Sequence, residues 1–238
     1  MGDVDVLVPA SRWPEACGLM VAAGFTETAV PERTFTAAHD YVRSFCNAVG
    51  VTIEVHRFVC EASFLDIDYE GPDGIFARAR TTRAGFLVPE DGDLFLTLAA
   101  HAAKHTFELP LRSFLDGLFL LQARTMGSGA LVVRARTWRM ESAFDAWMRA
   151  LHALAPDAGG PAPAGRPADS VGQRLARFVW SRTSHTSPWQ RFLRMAWLTD
   201  SGADWARHVG TRAAFRAFDT VQTLGLRAAA KVKLRSPA

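Results

Sequence analysis

Asp3-Val4-Asp5-Val6-Leu7-Val8 sets two aspartates one residue apart in an apolar run, the pattern of a buried β-strand. Side chains alternate between the two faces of a strand, so Asp3 and Asp5 point the same way with their charges close together. Such a pair is costly unless a cation lies between the carboxylates. Mg²⁺ meets that demand, because it is a hard ion held by one or two carboxylates together with substrate phosphates. A third carboxylate is available from Glu54, in Val51-Thr52-Ile53-Glu54-Val55-His56-Arg57-Phe58-Val59. There Thr52, Glu54 and His56 alternate with apolar residues, as in a second strand.

Between these runs, Ser11 is placed to cap a helix from about Trp13 to Ala23, with Pro14 and Glu15 in its first turn and Gly24 at its end. Tyr41 to Cys46 has strand character, and Asn47-Ala48-Val49-Gly50 reads as the turn of a hairpin leading into the strand of Glu54. That second hairpin strand must lie beside the first strand of the chain for the carboxylates to converge. Residues 61–74 carry Asp66, Asp68, Glu70 and Asp73 without the closing bidentate Glu of a calcium loop, so they read as a solvated linker or a short strand. From Pro89 the apolar period becomes helical, with helices expected from Pro89, over Leu111–Ala123, near Ala130–Arg136 and over Glu141–Leu154. The Ala, Pro and Gly of residues 155–170 read as a linker. Helices are expected again beyond it.

His101 and His105 stand at i and i+4 on one helix, with Lys104 between them. That spacing puts both imidazoles on one face, where they can bind a transition metal if a third ligand arrives, and Asp116 is the nearest acidic residue on the next helix. No Glu follows His101, which argues against a zinc protease. Arg112 is spaced to pair with Asp116. His56 shares a strand face with Glu54 and can support it or touch an acceptor. Glycine-rich dinucleotide loops, serine-hydrolase elbows and Walker lysines are absent from the sequence.

The ordered series Asp-Val-Asp-Val-Leu-Val, a helix closing on Ala23-Gly24-Phe25, Ile53-Glu54-Val55-His56, His101-Ala102-Ala103-Lys104-His105 and Leu115-Asp116 resembles the uncharacterised nucleotidyltransferase family of the polymerase-β superfamily, over roughly residues 1 to 155. The resemblance implies an α+β fold, a small mixed sheet with helices packed on it. It further implies Mg²⁺ (or Mn²⁺) held by Asp3, Asp5 and Glu54, with a nucleoside triphosphate such as ATP as substrate. Lys104, with His101 and His105, would contact the phosphates, and His56, Asp116 and Arg112 would support the site. The acceptor is left open among a small molecule, a peptide, a protein and RNA. Superfamily members carry a Gly-Ser or Gly-Gly turn upstream of the aspartate pair, and here Gly2 is the single glycine ahead of Asp3. A start assigned too far downstream, a fragment and a decayed nucleotide site each fit that difference.

The domain organisation that follows is a nucleotidyltransferase-like α/β core over 1–88, a helical portion over 89–154, the linker 155–170 and a basic helical segment over 171–238. Residues 1–170 hold 15 Lys and Arg against 21 Asp and Glu, a net of −6, whereas residues 171–238 hold 12 against 3, a net of +9. A segment so basic can attract an acidic partner. Hence a rival reading, a catalytically silent module of the same fold that binds such a partner. No run of about eighteen apolar residues is available for a membrane span, and Asp3 and Asp5 stand where a signal peptide would be basic. Cys17, Cys46 and Cys60 have no metal-ligand spacing. A reduced, cytoplasmic setting is expected.

Overall fold

The computed structural model describes residues 3–28, 41–60, 65–105, 107, 109–123 and 127–159, together with 198, 203, 206 and 210. Residues 3–60 belong to one compact unit and residues 65–159 to a second. The architecture is α+β, as expected. The expected linker from residue 160 onward and the basic segment 171–238 lie outside the described residues, apart from the four isolated positions.

The first unit is a four-stranded mixed sheet with one helix. Strand β1 (Val4–Leu7) leads through a 3₁₀ turn (Ala10–Arg12) into helix α1 (Trp13–Ala22), followed by β2 (Thr26–Glu27), β3 (Val42–Cys46) and β4 (Thr52–His56). The strand order is β1-β4-β3-β2. β1 runs parallel to β4, and the other pairs are antiparallel. A parallel pair needs a crossover rather than a hairpin, and the chain between β1 and β4 supplies it. The turn joining β3 to β4 is set by Asn47, whose side-chain oxygen accepts the N–H groups of Val49 and Val51 at 3.1 and 2.9 Å. Gly50 sits at φ 81° there, a conformation that glycine adopts without strain.

Helix α1 lies on one face of this sheet. Trp13, Cys17, Phe45 and Val55 form the buried cluster, with Val8, Ala16, Met20, Phe25 and Ile53 packed around it. The Trp13 indole N–H donates to the Val55 carbonyl at 3.0 Å. The guanidinium groups of Arg43 and Arg57 lie 4.8 and 4.9 Å from the Trp13 ring centre, within cation–π range. Arg57, which follows the strand of Glu54 on the other face, thus helps to cover the sheet back.

The structure departs from two local expectations. Ser11 does not cap α1: it lies inside the 3₁₀ turn, where the Arg12 N–H already reaches the Pro9 carbonyl at 2.9 Å, and no side chain caps the helix. Nor is β1 buried. It is the sheet edge, with Val4 and Val6 exposed. The end of α1 is as read: Gly24 at φ 85° closes it while the Phe25 N–H reaches back to the Met20 carbonyl.

In the second unit, a short helix α2 (Ile75–Arg78) precedes a two-stranded ribbon of β5 (Arg80–Thr81) and β6 (Leu87–Val88). Helices α3 (Asp91–Lys104), α4 (Leu111–Gln122), α5 (Ser128–Thr137) and α6 (Glu141–Leu154) follow. All four fall where helical periodicity places them. Phe95, Leu96, Ala99, Ala100, Ala102 and Ala103 bury one side of α3, and Phe144, Trp147, Met148 and Leu151 bury one side of α6. Residues 65–74 are not a solvated linker. Leu65, Ile67 and Tyr69 are buried, and Asp68 folds the chain by accepting the Gly71 N–H at 2.8 Å. The fully buried Asp93 in the first turn of α3 is held by Arg78 and Arg134.

Candidate metal centre

Strand register assembles the site. Asp5 on β1 is the partner of Glu54 on β4, and Glu54 is the partner of Ser44 on β3. The three form one row across neighbouring strands, so their side chains leave the same face. That face is opposite to the one covered by Trp13 and Val55, since Val55 is the next residue along β4. The condition set for convergence, that the hairpin's second strand lie beside β1, is met by this pairing.

Within the row the contacts are specific. Ser44 Oγ donates to Glu54 Oε1 at 2.8 Å, fixing one carboxylate oxygen. His56, two residues after Glu54 and therefore on the same face, brings Nε2 to 3.2 Å from Asp5 Oδ1 and 3.3 Å from Glu54 Oε2. Ligand atoms of Asp5, Glu54 and His56 all lie within 4.8 Å of one another, the one such group of three or more among the described residues. Its sides differ in access: the Asp5 side chain is 65% exposed, that of Glu54 28% and that of His56 13%. The site therefore opens to solvent at β1 and closes towards the sheet centre. The Tyr41 ring lies 6.4 Å from His56. His56 Nδ1 is buried, and among the described residues it has no hydrogen-bond partner.

The donor set suits a divalent cation. Two carboxylates on adjacent strands supply hard oxygen ligands and gain from a charge that relieves their repulsion. The imidazole at their side is the kind of ligand that Mn²⁺ accepts more readily than Mg²⁺. Asp3 lies one residue ahead of β1 and is exposed; it is outside the group of three, and His56 occupies the third corner.

The remaining residues singled out in the sequence stand in the second unit. His101 and Lys104 are half-buried on α3 and His105 is exposed at its end, with the two imidazole centres 4.6 Å apart. Arg112 and Asp116 are exposed on α4, and among the described residues no ion pair joins them. Asp116 does not complete a three-ligand group with the two histidines. Ser44 is the residue that sequence reasoning missed. Its signal was present: a turn at Asn47 to Gly50 pairs Cys46 with Thr52, and two steps back along the ladder lies Ser44 opposite Glu54.

The model of a family described as uncharacterised nucleotidyltransferase matches residues 1–156 of this chain. No curated protein and no solved structure matches it. The match spans the four-stranded sheet with α1 and all five described helices of the second unit, and the chain belongs to that family.

Proposed function

We propose that this member of the uncharacterised nucleotidyltransferase family transfers a nucleoside monophosphate from a nucleoside triphosphate, such as ATP, to an acceptor hydroxyl, with Asp5 and Glu54 as the residues that hold Mg²⁺ or Mn²⁺. The observation that carries the reading is the in-register pairing of Asp5 with Glu54 on adjacent parallel strands. Asp3, just ahead of β1, is a further carboxylate within the same stretch. In the reaction the acceptor oxygen forms a bond to the α-phosphorus, the bond from that phosphorus to the bridging oxygen breaks, pyrophosphate leaves, and the hydroxyl proton passes to water. A bound divalent cation supplies screening of the phosphate charges and of the departing pyrophosphate.

The chain's own residues have separable parts in this scheme. Glu54 is oriented by Ser44, whose hydroxyl leaves Oε2 facing the site while Oε1 is occupied. Asp5, the most exposed of the three, faces the side from which a triphosphate would approach. His56 flanks both carboxylates and limits how far they can turn. Pre-orientation of this kind lowers the reorganisation needed when charge moves in the transition state.

The test is transfer of label from α-³²P-labelled nucleoside triphosphates to candidate acceptors in the presence of Mg²⁺ or Mn²⁺. Glu54→Gln should reduce transfer by about a hundredfold or more. Equal transfer by wild type and Glu54→Gln would overturn the reading. A second reading, a catalytically silent module that binds an acidic partner through residues 171–238, rests on one observation, the 12 Lys and Arg against 3 Asp and Glu of that segment. It predicts binding of an acidic polymer that weakens with salt, and no transfer under any metal.

A further inference from the structure

The geometry points to a second metal site, for a borderline transition-metal dication such as Zn²⁺, Ni²⁺ or Cu²⁺, on the last turn of α3 at His101 and His105. Residues four apart on a helix lie one above the other, and here the two imidazole centres are 4.6 Å apart with their planes at 44°. Two rings so spaced and splayed can turn one nitrogen each towards a common ion. His105 is exposed and His101 half-buried, so an ion can enter from solvent. The opposite side of the helix, carrying Ala99, Ala102 and Ala103, is packed into the core, which holds the backbone of this turn in place. Preformed spacing spares the cost of ordering two free ligands.

The position along the helix adds to the case. Both residues sit at the carboxyl end of α3, where the aligned peptide dipoles make the local potential negative and favour a cation. The turn is closed off by Phe107, which takes φ 61° and donates its N–H to the Ala102 carbonyl at 2.7 Å. Phe107 is itself buried, with its ring 6.3 Å from that of Trp147. The helix end is thereby fixed rather than frayed.

Ligand chemistry selects the metal. Neutral imidazoles favour Zn²⁺, Cu²⁺ and Ni²⁺ over Mg²⁺ and Ca²⁺. With two imidazoles as its ligands the site is of modest affinity. The ammonium of Lys104, on the same turn, weakens it further. This distinguishes the pair from the carboxylate centre of the first unit, which is dominated by oxygen.

Electron paramagnetic resonance of the full chain with one equivalent of Cu²⁺ separates the two centres. The nitrogen hyperfine pattern should report two equatorial nitrogens in wild type and in the Asp5→Asn, Glu54→Gln double variant. In His105→Ala and His105→Gln it should fall to at most one. Calorimetry with Ni²⁺ should show the same two His105 variants binding at least about tenfold more weakly, since the second ligand acts at high effective concentration once the first is bound. A two-nitrogen pattern that survives both His105 variants, or that is absent from wild type, would overturn the proposal. Loss of the pattern only in the Asp5, Glu54 double variant would overturn it as well, by assigning the copper to the sheet. Neither result bears on whether Glu54 is needed for nucleotidyl transfer.

Discussion

Replacing Asp93 by alanine should be among the most damaging single changes in the second unit. Its carboxylate is fully buried in the first turn of α3 and accepts three charged hydrogen bonds. Arg78 donates through Nε at 2.9 Å and Nη2 at 2.8 Å, and Arg134 through Nη1 at 2.7 Å. Burial lowers the pKa of Arg78, but the hydrogen bond and charge of Asp93, followed by the charges of Glu90 and Asp68, outweigh it and leave the pKa raised. A group raised in this way contributes stability at every pH below its unfolded value, so for an arginine the loss comes only in strong alkali. The cluster should be insensitive to pH across the neutral range. Removing one member of a buried ion pair costs about 3–5 kcal/mol, because the partner is left charged and unpaired. The two arginines here keep about a fifth of their side-chain surface and retain Glu90, 3.6 Å from Arg78 and 3.1 Å from Arg134. The lower end, about 3 kcal/mol, is therefore expected. In thermal unfolding this corresponds to a fall of roughly 6–12 °C. Asp93→Asn keeps the shape and one acceptor oxygen but not the charge, and should cost about 2 kcal/mol. Urea unfolding followed by circular dichroism measures both. A change below about 1 kcal/mol for Asp93→Ala would refute the assignment of this cluster as a support of the helical unit.

Gly117→Ala should destabilise the same unit. A Cβ there would lie 2.5 Å from Cζ2 of the fully buried Trp147 and 3.3 Å from Leu151, so an overpacking cost near the top of the usual range of about 1–3 kcal/mol outweighs the gain of about 1 kcal/mol in helix propensity. The net loss should be visible in the urea midpoint. Ser44→Ala removes the hydroxyl that orients Glu54; stability should fall by no more than about 1 kcal/mol, while Mn²⁺ affinity at the sheet should drop roughly tenfold, as titration of the metal's paramagnetic signal would reveal.

The strands and helices that position the site were legible because their patterns are local. The alternation around Asp5 and around Glu54, the turn chemistry of Asn47 and Gly50, and the helical period from Pro89 each follow from a few neighbouring residues. That β1 would lie beside β4 entered only as the condition for the carboxylates to converge, since periodicity does not name a strand's partner. The same limit explains the error over β1: an apolar run reads as buried, but burial depends on whether a strand is central or at an edge, which tertiary pairing decides. Residues 65–74 misled for a related reason. Their acidic side chains suggest a solvated linker, whereas Leu65, Ile67 and Tyr69 alternate with them and are the buried set. The Asp93 cluster could not be read at all, because its partners are 15 and 41 residues away and each looks locally like an ordinary helix-end charge. In the site itself, Asp5, Glu54 and His56 were each visible in the sequence; that His56 lies between the other two depends on side-chain directions across two strands.

The central claim, that Asp5 and Glu54 jointly hold a divalent cation for a triphosphate, is tested most directly by the melting temperature of the full chain titrated with Mg²⁺ and ATP together. At ligand concentrations about a hundredfold above the dissociation constant, linkage adds about 2.7 kcal/mol to stability. Wild type should show the corresponding rise, dependent on both metal and nucleotide, and Asp5→Asn and Glu54→Gln should each abolish it while leaving the ligand-free melting temperature nearly unchanged. A rise of equal size in either variant, or none in wild type at millimolar Mg²⁺ and ATP, would contradict the claim.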